Sequence, residues 1–458
     1  MSTGVAMRLS RVARGAALAR VALRIGGRYA ARSPALLFAS VERRAEMRHD
    51  LALRSADEVA EELGSMKGVL MKLGQMASYI YEDLPETFRL SMTRLQHLAP
   101  PMTAGLATSV VTEELGAAPE RVFAQWDPAP FAAASIGQVH RAITRDGRAV
   151  AVKVQYPGIA RSITSDLRNV GLLRRIVGAA FPGLDTRSLV DELAERLQEE
   201  VDYLREAESQ DMFARYYEGH PVINVPHVVK ELSTARVLTS ELVAGEGFDQ
   251  AVRWSQRERD LAAETIYRFV FRSLYRLHAF NGDPHPGNYV FHGHGRVSFL
   301  DFGLTKHFTD YDLDPLVDAV RFIVIEKNYE AFRAAMERAG FLRAGAPVST
   351  DIVVDRFGQF YGTVLEDAPM TITPAYASAI VRRFFDARGP LAPYSDVPRA
   401  YVVMQRINLG LYAVLGSLNA TANWRRIAEE IWPFRHGPPS TPMGEAEARW
   451  ERSAASRP

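Results

Sequence analysis

Two short segments carry the densest set of reactive side chains in the sequence. Gly282-Asp283-Pro284-His285-Pro286-Gly287-Asn288 is followed by Phe299-Leu300-Asp301-Phe302-Gly303. Asp283 and Asn288 stand five apart, the D-x-x-x-x-N spacing of a phosphotransferase catalytic loop, and Asp-Phe-Gly is the metal-binding triplet that follows such a loop. Tyr289–Phe291 and Val297–Leu300 read as a hairpin between them. Pairing Tyr289–Phe291 against Ser298–Leu300 sets Asn288 beside Asp301 at one end of the ladder, where an amide and a carboxylate can hold one Mg²⁺. Asp283, just upstream, is then placed as the base or the water-positioning group. His285, between two prolines, reads as a loop-stiffening histidine ahead of a ligand.

A second cluster lies earlier in the chain. Phe131-Ala132-Ala133-Ala134-Ser135-Ile136-Gly137-Gln138-Val139 aligns with the phosphate loop G-x-G-x-x-G-x-V. Alanine replaces glycine at Ala132 and Ala134, whereas Gly137 and Val139 match. Each added Cβ removes positive-φ conformations and stiffens the loop. Lys153, in Ala151-Val152-Lys153, is the cation for the α and β phosphates. Glu206, in the segment Glu200-Val201-Asp202-Tyr203-Leu204-Arg205-Glu206, is the acid expected to pair with it. Lys72-Leu73-Gly74-Gln75 places a lysine and a glutamine on one helical face around a costly mid-helix glycine. Only six of the 55 basic residues are Lys. Lysine at both 72 and 153 therefore argues for a compact ammonium as a phosphate or carboxylate ligand.

These residues need a scaffold. The chain has 458 residues, 47% hydrophobic and 24% charged, an ordinary globular composition that excludes a fibrous or wholly disordered protein. It has no cysteine, which removes disulfides, thiolate metal sites and Cys nucleophiles. No 18-residue apolar run predicts a spanning helix. The first 50 residues hold ten Arg against three acids, a basic arm suited to an anionic membrane surface or to a transit peptide. Apolar residues at three- and four-residue steps predict a helix from Asp57, and a second runs from Glu86 to about Leu98. Gln138–Ile143 and Arg148–Gln155 flank Arg145-Asp146-Gly147, a hairpin signal. A long helix is expected from Leu189 to about Tyr217, strands at Val222–Val229 and Arg236–Leu242, a helix over Leu261–Phe280, and further helices after the catalytic-loop hairpin to about Trp432. The proline-rich last 26 residues read as disordered.

Taken in order from about residue 57 to 306, the Lys-x-Gly-Gln element, Ala-rich loop, lysine, acidic helix, catalytic loop and Asp-Phe-Gly resemble the UbiB/AarF family of atypical protein-kinase-like proteins, associated with ubiquinone biosynthesis. The resemblance implies an α+β, two-lobed kinase-like fold with an N-terminal helical extension. The expected boundaries are a basic arm at 1–50, the extension at 51–104, a small lobe at 105–245, a helical lobe at 246–432 and a tail at 433–458. It implies ATP and Mg²⁺ as cofactors, with adenine on the backbone near Glu241-Leu242-Val243. Lys72 and Gln75 would fold over the nucleotide, Glu200 and Asp202 would receive Lys72, and Lys153 would pair with Glu206. Asp283 would be the catalytic-loop acid, and Asn288 and Asp301 the metal ligands.

The expected activity is slow ATP hydrolysis or phosphoryl transfer at a membrane, in support of isoprenoid-quinone or other lipid metabolism. The helical pattern resuming near Tyr311 leaves little room for an activation segment that docks a protein substrate. The alternatives are a small-molecule phosphotransferase of the aminoglycoside- or choline-kinase type and a nucleotide-dependent regulatory module without turnover. Expected partners are an adenine nucleotide, an anionic membrane surface, and lipid or quinone-pathway proteins, with no nucleic acid. The expected location is the cytoplasmic face of a membrane, or the mitochondrial matrix if the arm is a transit peptide.

Overall fold

The computed structural model describes residues 104–134, 136–159, 201–281, 285–385, 390–391, 393–395, 398–435 and 437–455. The basic arm, the Lys-x-Gly-Gln extension with Lys72 and Gln75, Ser135, Glu200 and Asp283 lie outside them. The chain divides into two compact units. One comprises residues 1–205 and 229–241, the other residues 206–228 and 242–458.

The first unit is a small antiparallel sheet under one helix. Strands β1 (Gln125–Trp126), β3 (Gly137–Ile143), β4 (Ala149–Gln155) and β6 (Val237–Glu241) lie in the order β1-β3-β4-β6, with β2 (Ala132–Ala133) on β3. The Asp-Gly signal is met at the β3–β4 turn, where Gly147 takes a φ of 88°, open to glycine at no steric cost. Alternation along β4 buries Val150, Val152 and Val154 against Ala107, Val110 and Val111 of helix α1 (Ala104–Leu115). Ala151 and Lys153 therefore take the opposite face.

The second unit is mainly helical. Helix α2 (Tyr203–Tyr216) runs into it from the first unit, and α3 (Gln256–Leu277) crosses its core. A three-stranded sheet of β5 (Ile223–Asn224), β9 (Val297–Phe299) and β8 (Tyr289–Phe291) rests on this core. Strands β7 (Ala279–Asn281) and β10 (Thr305–His307) form a separate pair. Helices α4 (Asp310–Val320), α5 (Tyr329–Arg338), α6 (Thr350–Gly358), α7 (Pro374–Phe385), α8 (Arg399–Ser417), α9 (Trp424–Ile431) and α10 (Pro442–Ala455) follow.

Four expectations need correction. The stretch Val222–Val229 contributes only the two-residue β5, paired parallel to β9 rather than to the small sheet; residues 206–228 thus join the helical unit, because Phe213, Ala214 and Tyr217 pack into its core. The long helix is not continuous back to Leu189, since Val201 and Asp202 are non-helical and α2 begins at Tyr203. The helix expected to reach Phe280 stops at Leu277, where His278 turns to a φ of 48° and the chain enters β7. The final segment is not structureless, because α10 docks through charge. Glu447, 1% exposed, takes Arg268 Nη1 at 2.7 Å, Arg272 Nε at 2.8 Å and His220 Nε2 at 3.1 Å. Trp450 adds an apolar anchor against Tyr217 and His220.

Candidate functional site

The Ala-rich loop and Lys153 are brought into one row by the sheet register. Ala132 faces Val139, Val139 faces Lys153, and Lys153 faces Leu238 across successive strands. Directly opposed residues share a face, so residues separated by up to 106 positions align on the side away from α1. Ala133 continues β2, and Ala134 closes a tight turn, its N–H donating to Gly137 O at 2.9 Å. Gly137 is required for close approach and not for a left-handed φ. A Cβ there would lie 2.3 Å from Val154 O and 2.9 Å from Tyr203 Oη. Tyr203, 1% exposed, presents its ring 5.0 Å from Lys153 Nζ, within cation–π range. Glu241 ends β6, and Leu242 and Val243 open the second unit.

Asp202 caps α2: its Oδ1 accepts from Leu204 N at 3.1 Å, satisfying one free N–H of the first turn. This is why the helix starts at Tyr203. Glu206 follows in the first turn and is buried.

In the second unit, the Asp-Phe-Gly triplet is anchored by its phenylalanine. Phe302 is 1% exposed and sits 4.9 Å from the Phe213 ring of α2, which in turn meets Phe269 of α3; Phe269 stacks on Phe299 of β9 at 3.7 Å. This aromatic chain fixes the triplet to α2 and α3. Asp301 takes a left-handed φ of 60°, a conformation Asp tolerates better than most residues. Its backbone O accepts from Asn281 Nδ2 at 3.0 Å and its Oδ1 from Gly303 N at 3.1 Å. A Cβ on Gly303 would lie 3.3 Å from Asp301 Oδ1 and 3.5 Å from Glu206 Oε2. Two carboxylates therefore converge on the space that glycine leaves open.

The catalytic-loop hairpin forms with its register moved by one residue. Tyr289 faces Phe299 and Phe291 faces Val297, so Asn288 stands opposite Leu300, whose N–H donates to Asn288 O at 2.8 Å. Asp301 is one step beyond. The cause lies in β5, which pairs Ile223 with Val297 and buries Val297, Ser298 and Phe299. Asn288 and Asp301 still share one end of the hairpin. His285 behaves as a loop residue, its Nδ1 accepting from Gly287 N at 3.0 Å and capping the turn Pro286–Asn288. Among the described residues no three His, Asp or Glu side chains group as a closed metal cage. An amide and a carboxylate at one hairpin end are hard oxygen donors, and they leave most of the coordination sphere of Mg²⁺ to water and phosphate.

Only six residues separate Gly303 from α4, which opens with a capping box. Thr309 N donates to Asp312 Oδ2 at 2.9 Å, and Asp312 N donates to Thr309 Oγ1 at 3.3 Å. Three of the six, Thr305–His307, are held in β10 against β7. This pair was not legible in the sequence, where each three-residue strand lacks a periodic signal.

The model of the ABC1 atypical kinase-like domain matches residues 94–336. The chain is similar to an uncharacterised Synechocystis protein, sll0005, at 29% identity over 87% of this chain and 59% of that one. It is 35% identical to the Rattus norvegicus mitochondrial atypical kinase COQ8B over 58% of this chain and 51% of the relative. It is 31% identical to the Saccharomyces cerevisiae mitochondrial atypical kinase COQ8 over 56% of this chain and 51% of the relative. The chain thus spans about half the length of the curated relatives it matches. Among solved structures, Rv3197 of Mycobacterium tuberculosis in complex with erythromycin matches with a TM-score of 0.62 and 31% identity, over 86% of this chain and all of that one.

Proposed function

Since the chain belongs to the ABC1 atypical kinase-like family, we propose that it binds an adenine nucleotide with Mg²⁺ and turns it over slowly, by hydrolysis or phosphoryl transfer. The single observation that carries this reading is the anchored Asp-Phe-Gly triplet with Asn288 at its hairpin end and the Glu206 carboxylate beside Gly303. Asn288 and Asp301 would hold the metal, whose role is to neutralise charge on the transferred phosphoryl group. Lys153 meets the α and β phosphates and pairs with Glu206. Ala132–Val139 covers the phosphates with a stiffer loop than a glycine-rich one, and Glu241 to Val243 offers backbone to the adenine. Asp283 orients the attacking group, while Lys72 and Gln75 close over the nucleotide with Glu200 and Asp202 receiving Lys72. The short stretch from Gly303 to α4 favours a small acceptor or water over a protein substrate.

The site of action proposed is a membrane surface, reached through the basic arm, with isoprenoid-quinone or other lipid metabolism as the process served. Mitochondrial names among the relatives support the organellar alternative; no described helix is long and apolar enough to cross a membrane. The test is phosphate release from Mg·ATP by the full chain, with phosphatidylglycerol or phosphatidylcholine vesicles. Turnover lost in Lys153→Ala and faster on the anionic vesicles is expected. Absence of turnover, or turnover unchanged by Lys153→Ala, overturns the catalytic reading.

A further inference from the structure

The helical unit holds a partly open cavity of about 140 Å³, lined by none of the residues assigned above. Its walls come from α3, α4, α5, α6, α7, α8 and the segments that connect and follow them, and among the described residues no charged side chain lines it. Leu313, Leu316, Met336, Phe341 and Met404 supply apolar surface. A cavity of about 150 Å³ holds one benzene-sized ring, and a purely apolar one stays dry.

This cavity is not purely apolar. Tyr267, Tyr275, Tyr361 and Tyr412 line it together with Thr363 and Asn408. Burial first, and then their mutual proximity, pushes the hydroxyls of Tyr267 and Tyr361 up, with Tyr275 and Tyr412 as the neighbours of both. Four hydroxyls are therefore neutral and gathered in one place. Tyr412 Oη shares a hydrogen bond with Thr363 Oγ1 at 3.1 Å. The hydroxyls of Tyr267, Tyr275 and Tyr361 and the amide of Asn408 make no hydrogen bond with another described residue. A polar side chain left so in an apolar wall costs free energy unless something fills its bonding capacity.

We propose that this cavity binds a neutral molecule of about one six-membered ring bearing an acceptor oxygen, with Asn408 and the tyrosine hydroxyls as donors. The volume sets the size, the lack of charge among the described lining residues disfavours ions, and the donors without a partner among the described residues select a carbonyl or ether over a hydrocarbon. A hydrocarbon of equal size fits the apolar wall but leaves the donors unmet, so it binds more weakly.

The test uses the full chain, cyclohexanone, benzene and cyclohexanecarboxylate as probes, and saturation-transfer NMR with thermal melts. Cyclohexanone is expected to bind at least fivefold more tightly than benzene, and cyclohexanecarboxylate not to bind. Asn408→Leu should weaken cyclohexanone at least tenfold and leave benzene within twofold. Leu316→Trp, at a half-buried position on the cavity wall, should abolish both and locates the site even if Asn408→Leu fails to fold. Binding of neither neutral probe at millimolar concentration, binding unchanged in Leu316→Trp, or cyclohexanone affinity unchanged in a folded Asn408→Leu overturns the proposal. None of these readouts depends on nucleotide.

Discussion

Removing Glu447 should undo the docking of the last helix, and the structure allows the size of the effect to be worked out. Its carboxylate meets Arg268, Arg272 and His220 in a setting where all four side chains are almost fully buried. In Glu447→Ala, Arg268 keeps Glu264 and Glu430, each at 2.9 Å, but Glu451, whose side chain is 45% exposed, is the one carboxylate that Arg272 keeps among the described residues. Breaking a buried ion pair costs about 3–5 kcal/mol. Because Arg268 retains two partners, the lower end applies, about 3 kcal/mol. For a unit of this size that is roughly 6–12 °C in Tm. The pH dependence supplies a second readout. Burial pushes the Glu447 carboxyl up, but the hydrogen bond from His220 and the charges of Arg272 and Arg268 outweigh it and hold it well below the usual carboxylate range. A folded-state value below the unfolded one means that its stabilisation is complete above the ordinary value of 4.5 and is lost as pH falls through the folded value. Urea unfolding followed by circular dichroism should therefore show a deficit of about 3 kcal/mol at neutral pH that narrows below about pH 4. A deficit under about 1 kcal/mol at neutral pH, or one that stays constant into acid, refutes the reasoning.

Three further outcomes follow from single residues. Gly137→Ala puts a Cβ 2.3 Å from the Val154 carbonyl, so the first unit should lose about 1–3 kcal/mol in thermal unfolding; unchanged stability would mean β3 and β4 shift freely. Asp202→Ala removes the cap of α2 and should cost about 1 kcal/mol, with Asp202→Asn restoring most of it, since the amide oxygen accepts the same bond. Burial holds His220 below its ordinary 6.5 despite Glu447, so the unfolded chain takes up a proton that the folded chain refuses. Wild-type stability should thus fall as pH drops below 6.5, by at most about 1.4 kcal/mol per pH unit, and His220→Gln should flatten that window in pH-dependent melts.

What was legible in the sequence is what depends on local chemistry. The β3–β4 hairpin follows from Asp-Gly between alternating valines, and the lysine on its second strand from period two. The catalytic-loop hairpin was placed correctly, but its register was set by a remote strand, Ile223 on Val297, which no local pattern announces. Helix α10 was missed because its docking rests on buried Glu447 and on partners up to 227 positions away; a sparse apolar face with many charges reads as solvated until those partners are known. The start of α2 was misplaced for the opposite reason. Asp202 looked like one more helical acid, yet its side chain caps the helix that follows it. The cavity was invisible, since its lining comes from six helices and the segments that connect and follow them, whose spacing in sequence says nothing of their packing.

The central claim, that Asn288 and Asp301 hold Mg²⁺ with an adenine nucleotide, is tested most directly by calorimetric titration of Mg·ATP into the full chain and into Asp301→Asn. The side-chain amide keeps the shape of Asp301, can still accept from Gly303 N through its oxygen, and tolerates the left-handed φ of 60°. The fold should therefore persist, with unchanged melts, while the metal loses its charged ligand. Mg·ATP should bind the variant at least tenfold more weakly, with no Mg²⁺ dependence of what binding remains. Equal affinity for Mg·ATP in a folded Asp301→Asn would contradict the claim.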